Sequence, residues 1–333
     1  MDALTDLLDG PRARGAFMLR ASLSPPWSMR IQDEAPLTLL SMVRDDAWLV
    51  PDAGEPVRVS PGDMVIFRGP DPYTVSDHPA TAPQIVIHPG QHCTTPDGTS
   101  MAGSMALGVR AWGNDPDGTS VMLVGTYQLR GAVTHRLLAA LPPIAIVRGD
   151  TWRSPLVDVL GEEIGKDEPG QDIVLDRLLD LLLVGTLRAW FSRPAAEAPG
   201  WYRAHGDAIV GPALRLLHDD LSHPWTVADL ASRVGVSRAA LAQRFTKLIG
   251  EPPMAYLTGV RLAQAADLLR ESDATLEAVA RKVGYGNAFA LSTAFKREHG
   301  VSPQEYRTGP VAHPVTAGTV TTGPLTTGPI TTG

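Results

Sequence analysis

The sequence predicts an α+β protein with a β-rich first part, a helical middle and an all-helical C-terminal domain. Three observations carry this. Residues 1 to about 130 alternate short apolar runs with Pro-, Gly- and Asp-containing turns. Residues from about 131 to 206 place apolar side chains at helical spacing. Residues from about 207 to 309 contain one helix–glycine turn–helix pattern twice. Residues 310–333 form a Gly/Pro/Thr tract, expected to be disordered because it has too little apolar surface to bury.

The 333 residues leave room for two or three domains, each with its own core. A net charge of -7 excludes a protein that coats a polyanion with its whole surface. The charge is uneven, however. Residues 207–309 hold 12 Lys and Arg against 11 Asp and Glu, whereas the remainder holds 17 against 25. Only the C-terminal domain is neutral enough to approach a polyanion. The single cysteine, Cys93, excludes an intrachain disulfide and a zinc site built from several thiolates. It fits a reducing compartment. Residues 1–6 lack the basic start and long apolar run of a signal peptide. The longest apolar stretch, 178–191, is interrupted by Asp180 and Arg188 and is too short to cross a bilayer. A cytoplasmic chain without a membrane partner is expected.

Strands are predicted over 37–43, 47–50, 57–59, 64–67 and 85–87, with turns at Pro51-Asp52-Ala53-Gly54 and Ser60-Pro61-Gly62-Asp63. Turn signals every 8–12 residues or so point to a sandwich or barrel. Helices are predicted over 134–141, 155–164 and 172–191. The last has Leu175, Leu178, Leu179, Leu182 and Leu183 on one broad face, the candidate seam of a homodimer; packing against the β domain is the competing use of that face.

The C-terminal pattern is more specific. Thr226 caps a short helix that ends before Gly235-Val236-Ser237, and a second helix runs from 238 to 249. Thr275 caps the next short helix, Gly284-Tyr285-Gly286-Asn287 turns the chain, and a second helix runs from 288 to 299, with Phe289 and Phe295 as candidate buried residues. Each unit has the lengths of a helix-turn-helix. A helix over 253–269 joins them, about 25 Å long at 1.5 Å per residue. This suits two recognition helices entering successive major grooves about 34 Å apart.

The residues Ala280, Gly284, Tyr285, Asn287, Leu291, Phe295, Lys296, Arg297, Gly300, Ser302, Pro303, Tyr306 and Arg307 together resemble the signature of the AraC/XylS transcription regulators. The resemblance covers about a hundred C-terminal residues. It implies double-stranded operator DNA as partner, and RNA polymerase if the protein activates. Helix geometry places Arg238, Ala239, Ala242 and Gln243 of the first unit, and Ala288, Ser292 and Thr293 of the second, where base edges would lie. Arg244, Lys247, Lys296 and Arg297 are candidates for phosphate contacts, being basic and nearer the later turns.

The Pro61-Gly62-Asp63 turn is similar to the turn of cupin barrels. The whole layout resembles AraC-type regulators with an N-terminal cupin-like domain, whose relatives include regulators that respond to reactive chlorine. The implied organisation is a cupin-like β-barrel sensor over 1–130, a helical dimerisation or linker segment over 131–206, a double helix-turn-helix domain over 207–309 and the tail. The sensor sequence leaves three signals open. His88, His92 and Cys93 lie within six residues, a nitrogen and sulfur set suited to zinc or copper(I). His78 is a further candidate ligand. The same Cys93 is a candidate oxidant-sensing thiol, and a small buried hydrophobe is the plain alternative. Oxidant-sensing relatives often carry a second N-terminal cysteine, and residues 21–27 have none. An organic effector among Trp27, Met29, Trp48, Phe67 and Tyr73 is the third option. A metal-dependent cupin enzyme fused to a DNA-binding domain is the rival function. The lack of a His-x-His pair after a strand and of clustered carboxylates argues against it.

Overall fold

The computed structural model describes residues 17–101, 103–127, 138, 140–193 and 198–308. The expected helix over 134–141 and the tail over 310–333 lie wholly or mostly outside them.

Thirteen strands among the described residues form two sheets. They are β1 (Phe17–Leu23), β2 (Ser28–Ile31), β3 (Leu37–Arg44), β4 (Ala47–Pro51), β5 (Val57–Val59), β6 (Met64–Arg68), β7 (Tyr73–Ser76), β8 (Ile85–His88), β9 (His92–Thr94), β10 (Ala106–Gly108), β11 (Ala111–Gly113), β12 (Ser120–Tyr127) and β13 (Ile144–Val147). One sheet runs β10-β11-β1-β12-β3-β6-β13 and the other β5-β4-β7-β2-β8-β9. The five predicted runs are all strands. Alternation on β3 explains the layering: Leu40 and Met42 enter the core shared by both sheets, with Trp27, Leu49 and Phe67. Leu37 and Leu39 enter a second core on the opposite face of the seven-stranded sheet.

Helices α1 (Leu156–Glu163) and α2 (Gln171–Phe191) cover that second face. Leu175, Leu178, Leu179, Leu182 and Leu183 are all buried there, beneath their own sheet. A Cβ at Gly125 of β12 would lie 2.6 Å from a Leu179 methyl, and the Tyr127 hydroxyl donates to the Leu179 carbonyl at 2.8 Å. These leucines are therefore intramolecular core and not an open dimer seam. A helix covering an apolar sheet face buries its broad stripe at home. Helices α1 and α2 accordingly share one core with the seven-stranded sheet.

The Pro-Gly-Asp turn fastens the other end of the seven-stranded sheet. The buried Asp63 carboxylate accepts from Ser60 N at 3.1 Å, Gly149 N at 2.8 Å and the Arg148 guanidinium at 2.7 Å. This ties the chain after β13 to the turn before β6.

The remaining helices are α3 (Gly200–His205), α4 (Val210–Asp219), α5 (Val227–Arg233), α6 (Arg238–Ile249), α7 (Pro253–Glu271), α8 (Leu276–Lys282), α9 (Ala288–His299) and α10 (Pro303–Thr308). Helix α3 touches both halves of the chain. Trp201 and Tyr202 pack on Phe191 at the end of α2, with ring centroids 5.3 and 5.2 Å apart. Ala204 joins the core of α4, α5 and α6, and Gly200 lies against the Leu248 carbonyl of α6 so closely that a Cβ would not fit.

Candidate DNA interface and sensor domain

The two helix-turn-helix units are built by the same local chemistry. In the first, the Thr226 hydroxyl accepts from Asp229 N at 3.1 Å and starts α5. Gly235 takes φ of +75°, Val236 N bonds the Ala231 carbonyl, and Ser237 caps α6 through Ala240 N. In the second, Thr275 accepts from Ala278 N and starts α8. Gly284 takes φ of +80°, Tyr285 N bonds the Ala280 carbonyl, and Asn287 caps α9 through Ala290 N. The caps supply partners for backbone N–H groups that a helix start leaves open. The second turn is one residue longer, Gly-Tyr-Gly-Asn against Gly-Val-Ser.

Helix α7 serves both units. Tyr256, Leu257 and Val260 of its first half belong to the core of the first unit, and Leu262, Ala265, Ala266 and Leu269 to that of the second. At its middle, Arg261 donates to the Leu221 and His223 carbonyls, each at 2.7 Å. Its guanidinium also lies only 2.7 Å from where a Cβ on Gly284 would sit. One side chain thus joins the segment before the first unit to the turn of the second.

On α6, Leu241 and Phe245 face inward, while Arg238, Ala239, Gln243 and Lys247 are exposed and Ala242 is half-buried. Arg244 is also exposed, but lies to one side, paired to Asp207 through Nε at 2.9 Å and a second nitrogen at 2.6 Å. Its bond holds the Asp207 carboxyl at about 2. Asp207 also accepts from the N–H groups of Ile209 and Val210 before and at the start of α4. A phosphate role for Arg244 is therefore weakened, since its charge is already paired. On α9, Leu291 and Phe295 are buried; Thr293, Lys296 and Arg297 are exposed, and Ala288 and Ser292 half-buried. Phe289 is not in the core: it is 81% exposed. The wheel of α9 carries the signal that hydrophobicity alone hides, because Leu291 and Phe295 share one face and Phe289 falls on the other.

In the two-sheet domain, β8 and β9 pair antiparallel with His88 opposite His92 and Ile87 opposite Cys93. Consecutive strand residues point to opposite faces, which separates Cys93 from both histidines. The His88 ring lies between Gln32 Nε2 at 3.2 Å and Thr94 Oγ1 at 2.9 Å. His92 is exposed, and Cys93 packs against the core between the sheets. Among the described residues no three His, Cys, Asp or Glu side chains converge as a metal-holding group, so His88, His92 and Cys93 do not form the expected ligand set. Exposed His78 accepts from Ala80 N instead of joining them. Burial pushes the Cys93 thiol up to about 11, the reverse of what a reactive thiolate needs. Trp27, Met29 and Phe67 are buried core, and Phe67 stacks on Tyr73 at 3.8 Å, so these side chains fill the space between the sheets. A small apolar space lies on the other side of the seven-stranded sheet, lined by Met18, Leu123, Leu160, Leu182 and Ser41, whose buried Oγ has no hydrogen-bond partner.

Two capped helix-turn-helix units on one bridging helix, joined to a two-sheet domain, have the architecture of a DNA-binding protein with a second, β-rich domain. Comparison with known proteins agrees. Residues 2–192 match the family model described as Cupin and residues 230–309 the Helix-turn-helix domain model. An AraC-like transcription regulator of Streptomyces lividans is 32% identical over 93% of this chain and 99% of its own length. One of Streptomyces antibioticus is 32% identical over 93% and 100%. The DNA-binding domain of AdpA, solved in complex with a target DNA, is 33% identical over 29% of this chain and 87% of its own, with a TM-score of 0.29. The chain belongs to the AraC family of DNA-binding transcription regulators, with a cupin-like N-terminal domain. Its relatives are named as regulators, not enzymes. No helix among the described residues is long and apolar enough to cross a membrane.

Proposed function

We propose that the protein acts in the cytoplasm as a homodimer that reads operator DNA through α6 and α9 and passes on a signal received by the cupin-like domain. The observation that carries this reading is the repeated geometry: each unit leaves one face of its second helix uncovered, and each uncovered face ends in basic residues. Arg238 and Gln243 have the donors to read purine edges. Ala239, Ala242, Ala288, Ser292 and Thr293 set the close approach, and Lys247, Lys296 and Arg297 meet phosphates. If the regulator activates, RNA polymerase is the further partner. The two sheets are read as the walls of a flattened barrel that shares one core.

The test is fluorescence anisotropy of the full chain on duplexes selected by it from a random pool, over a range of salt. Lys296→Ala is expected to weaken all selected duplexes similarly and reduce the salt slope by about 1. Arg238→Ala should relax preference at one base pair, costing about 1–3 kcal/mol there. Failure to select any duplex, or salt-independent binding, would overturn the reading.

A further inference from the structure

We infer that Phe289 is a base-reading residue of the second unit and recognises the C5 methyl group of thymine, so that the two units of one chain read DNA by different chemistry. The inference rests on the DNA-reading role proposed for α9.

Phe289 is the most exposed large apolar side chain among the described residues, 81% against 67% for Ile173, the next. A single exposed apolar residue is ordinary on a protein surface. Its position is what counts. It lies in the first turn of α9, opposite the buried Leu291 and Phe295, and it shares a stripe with Thr293 and Lys296, four and seven residues on. That stripe is the one an inserted recognition helix turns to the groove.

Apart from Lys296, whose place on a later turn suits a phosphate, the side chains around Phe289 leave little hydrogen-bonding capacity, and Ser292 is half-buried. Thr293 Oγ1 already donates to the Phe289 carbonyl at 3.0 Å, which ties its hydroxyl to its own helix. Ala288 has only a methyl, and its N–H is taken by Glu277 Oε2 at 3.0 Å. The matching positions of α6 are Arg238, Ala239 and Gln243, where two side chains carry multiple donors. The first unit can therefore bond base edges through two many-donor side chains, while the second offers mainly an apolar surface made by Ala288 and Phe289, with the half-buried Ser292 hydroxyl beside it. In the major groove only one base presents an apolar group, the thymine methyl, and Phe is suited to contact it.

The experiment replaces each thymine of a duplex selected by the full chain with deoxyuridine, one position at a time. Only the methyl is removed, so pairing and groove donors stay. For wild type, one or two positions in one half-site should lose about three- to tenfold in affinity, the scale of one buried methyl or a little more. Phe289→Ala should bind the thymine and uracil duplexes equally at those positions. Phe289→Leu, still apolar, should keep part of the discrimination. The exposed position makes a folding defect unexpected, and equal thermal melting of the three proteins checks this. Wild type that binds its duplex with steep salt dependence yet ignores every methyl would overturn the inference alone. So would an alanine variant that keeps the full methyl effect. Failure to select any duplex would instead overturn the DNA-reading role beneath it.

Discussion

Asp207 shows how much one carboxylate can organise. It joins exposed Arg244 to the start of α4, and its own side chain is only 9% exposed. The Arg244 bond, helped by the N–H groups of Val210 and Ile209, lowers its ionisation from 3.8 to about 2. A carboxyl depressed in the folded state stabilises above its unfolded value, and that contribution is lost as pH falls from about 4 to 2. Asp207→Asn is expected to cost about 1–2 kcal/mol at neutral pH, reduced by the exposure of its partner. Chemical denaturation across pH should show a flatter profile for the variant between pH 4 and 2. Equal slopes in that window would refute the assignment. Asp207 lies 37 residues before Arg244, so its partner is invisible to any local pattern.

At the scale of an element, the two turns look interchangeable in sequence and are not. Both central glycines need the left-handed region, at φ of +75° for Gly235 and +80° for Gly284. A Cβ on Gly235 would meet nothing within 4 Å, whereas one on Gly284 would meet the Leu221 carbonyl and the Arg261 guanidinium at 2.8 and 2.7 Å. Gly235→Ala should therefore cost only the conformational term, about 1–2 kcal/mol. Gly284→Ala adds a clash with backbone and should cost at least about 2 kcal/mol more, displacing Arg261 as well. Thermal melting of the two variants side by side measures the difference; similar losses would show that Arg261 does not fix the second turn. The Thr226 and Thr275 caps, the turn glycines and the second helix of each unit were legible in sequence, because each acts within one or two helical turns; the Leu291–Phe295 pair was not, since Phe289 stood in place of Leu291 as the expected buried residue. The strands β1, β2, β7 and β9 to β13 were not read, since a strand is completed by partners distant in the chain, as β1 is by β11 and β12.

At the scale of the molecule, the family expectation of a dimer needs a new surface. The leucines of α2 are spent on the sheet, and the helix presents instead Ile173 at 67%, Val174 at 44% and Leu181 at 55% exposure. These lie on the side of α2 away from its core, and if the homodimer proposed above forms through α2 this is the face left for it. Ile173→Asp with Leu181→Asp is expected to convert a dimer to a monomer in sedimentation without loss of fold. Leu179→Asp should instead unfold the domain, because it buries a charge against β12. A doubly substituted protein of unchanged mass would exclude this face. Helix α3 completes the molecular picture. Its Trp201 and Tyr202 rest on α2 of the cupin-like domain while Gly200 and Ala204 rest on the DNA-binding domain.

By itself the sequence determined the class of protein: the order of β and helical parts, the two glycine turns, their caps and the signature that fills them. These depend on backbone conformations and periodicities that neighbouring residues impose on one another. Tertiary structure alone decided which apolar faces were free. It buried the α2 leucines under the seven-stranded sheet, split His88 and His92 from Cys93 across a strand pair, paired Arg244 with Asp207 and left Phe289 in the open. Apolar character states only that a side chain gains by leaving water; what covers it is settled by elements far away in the chain.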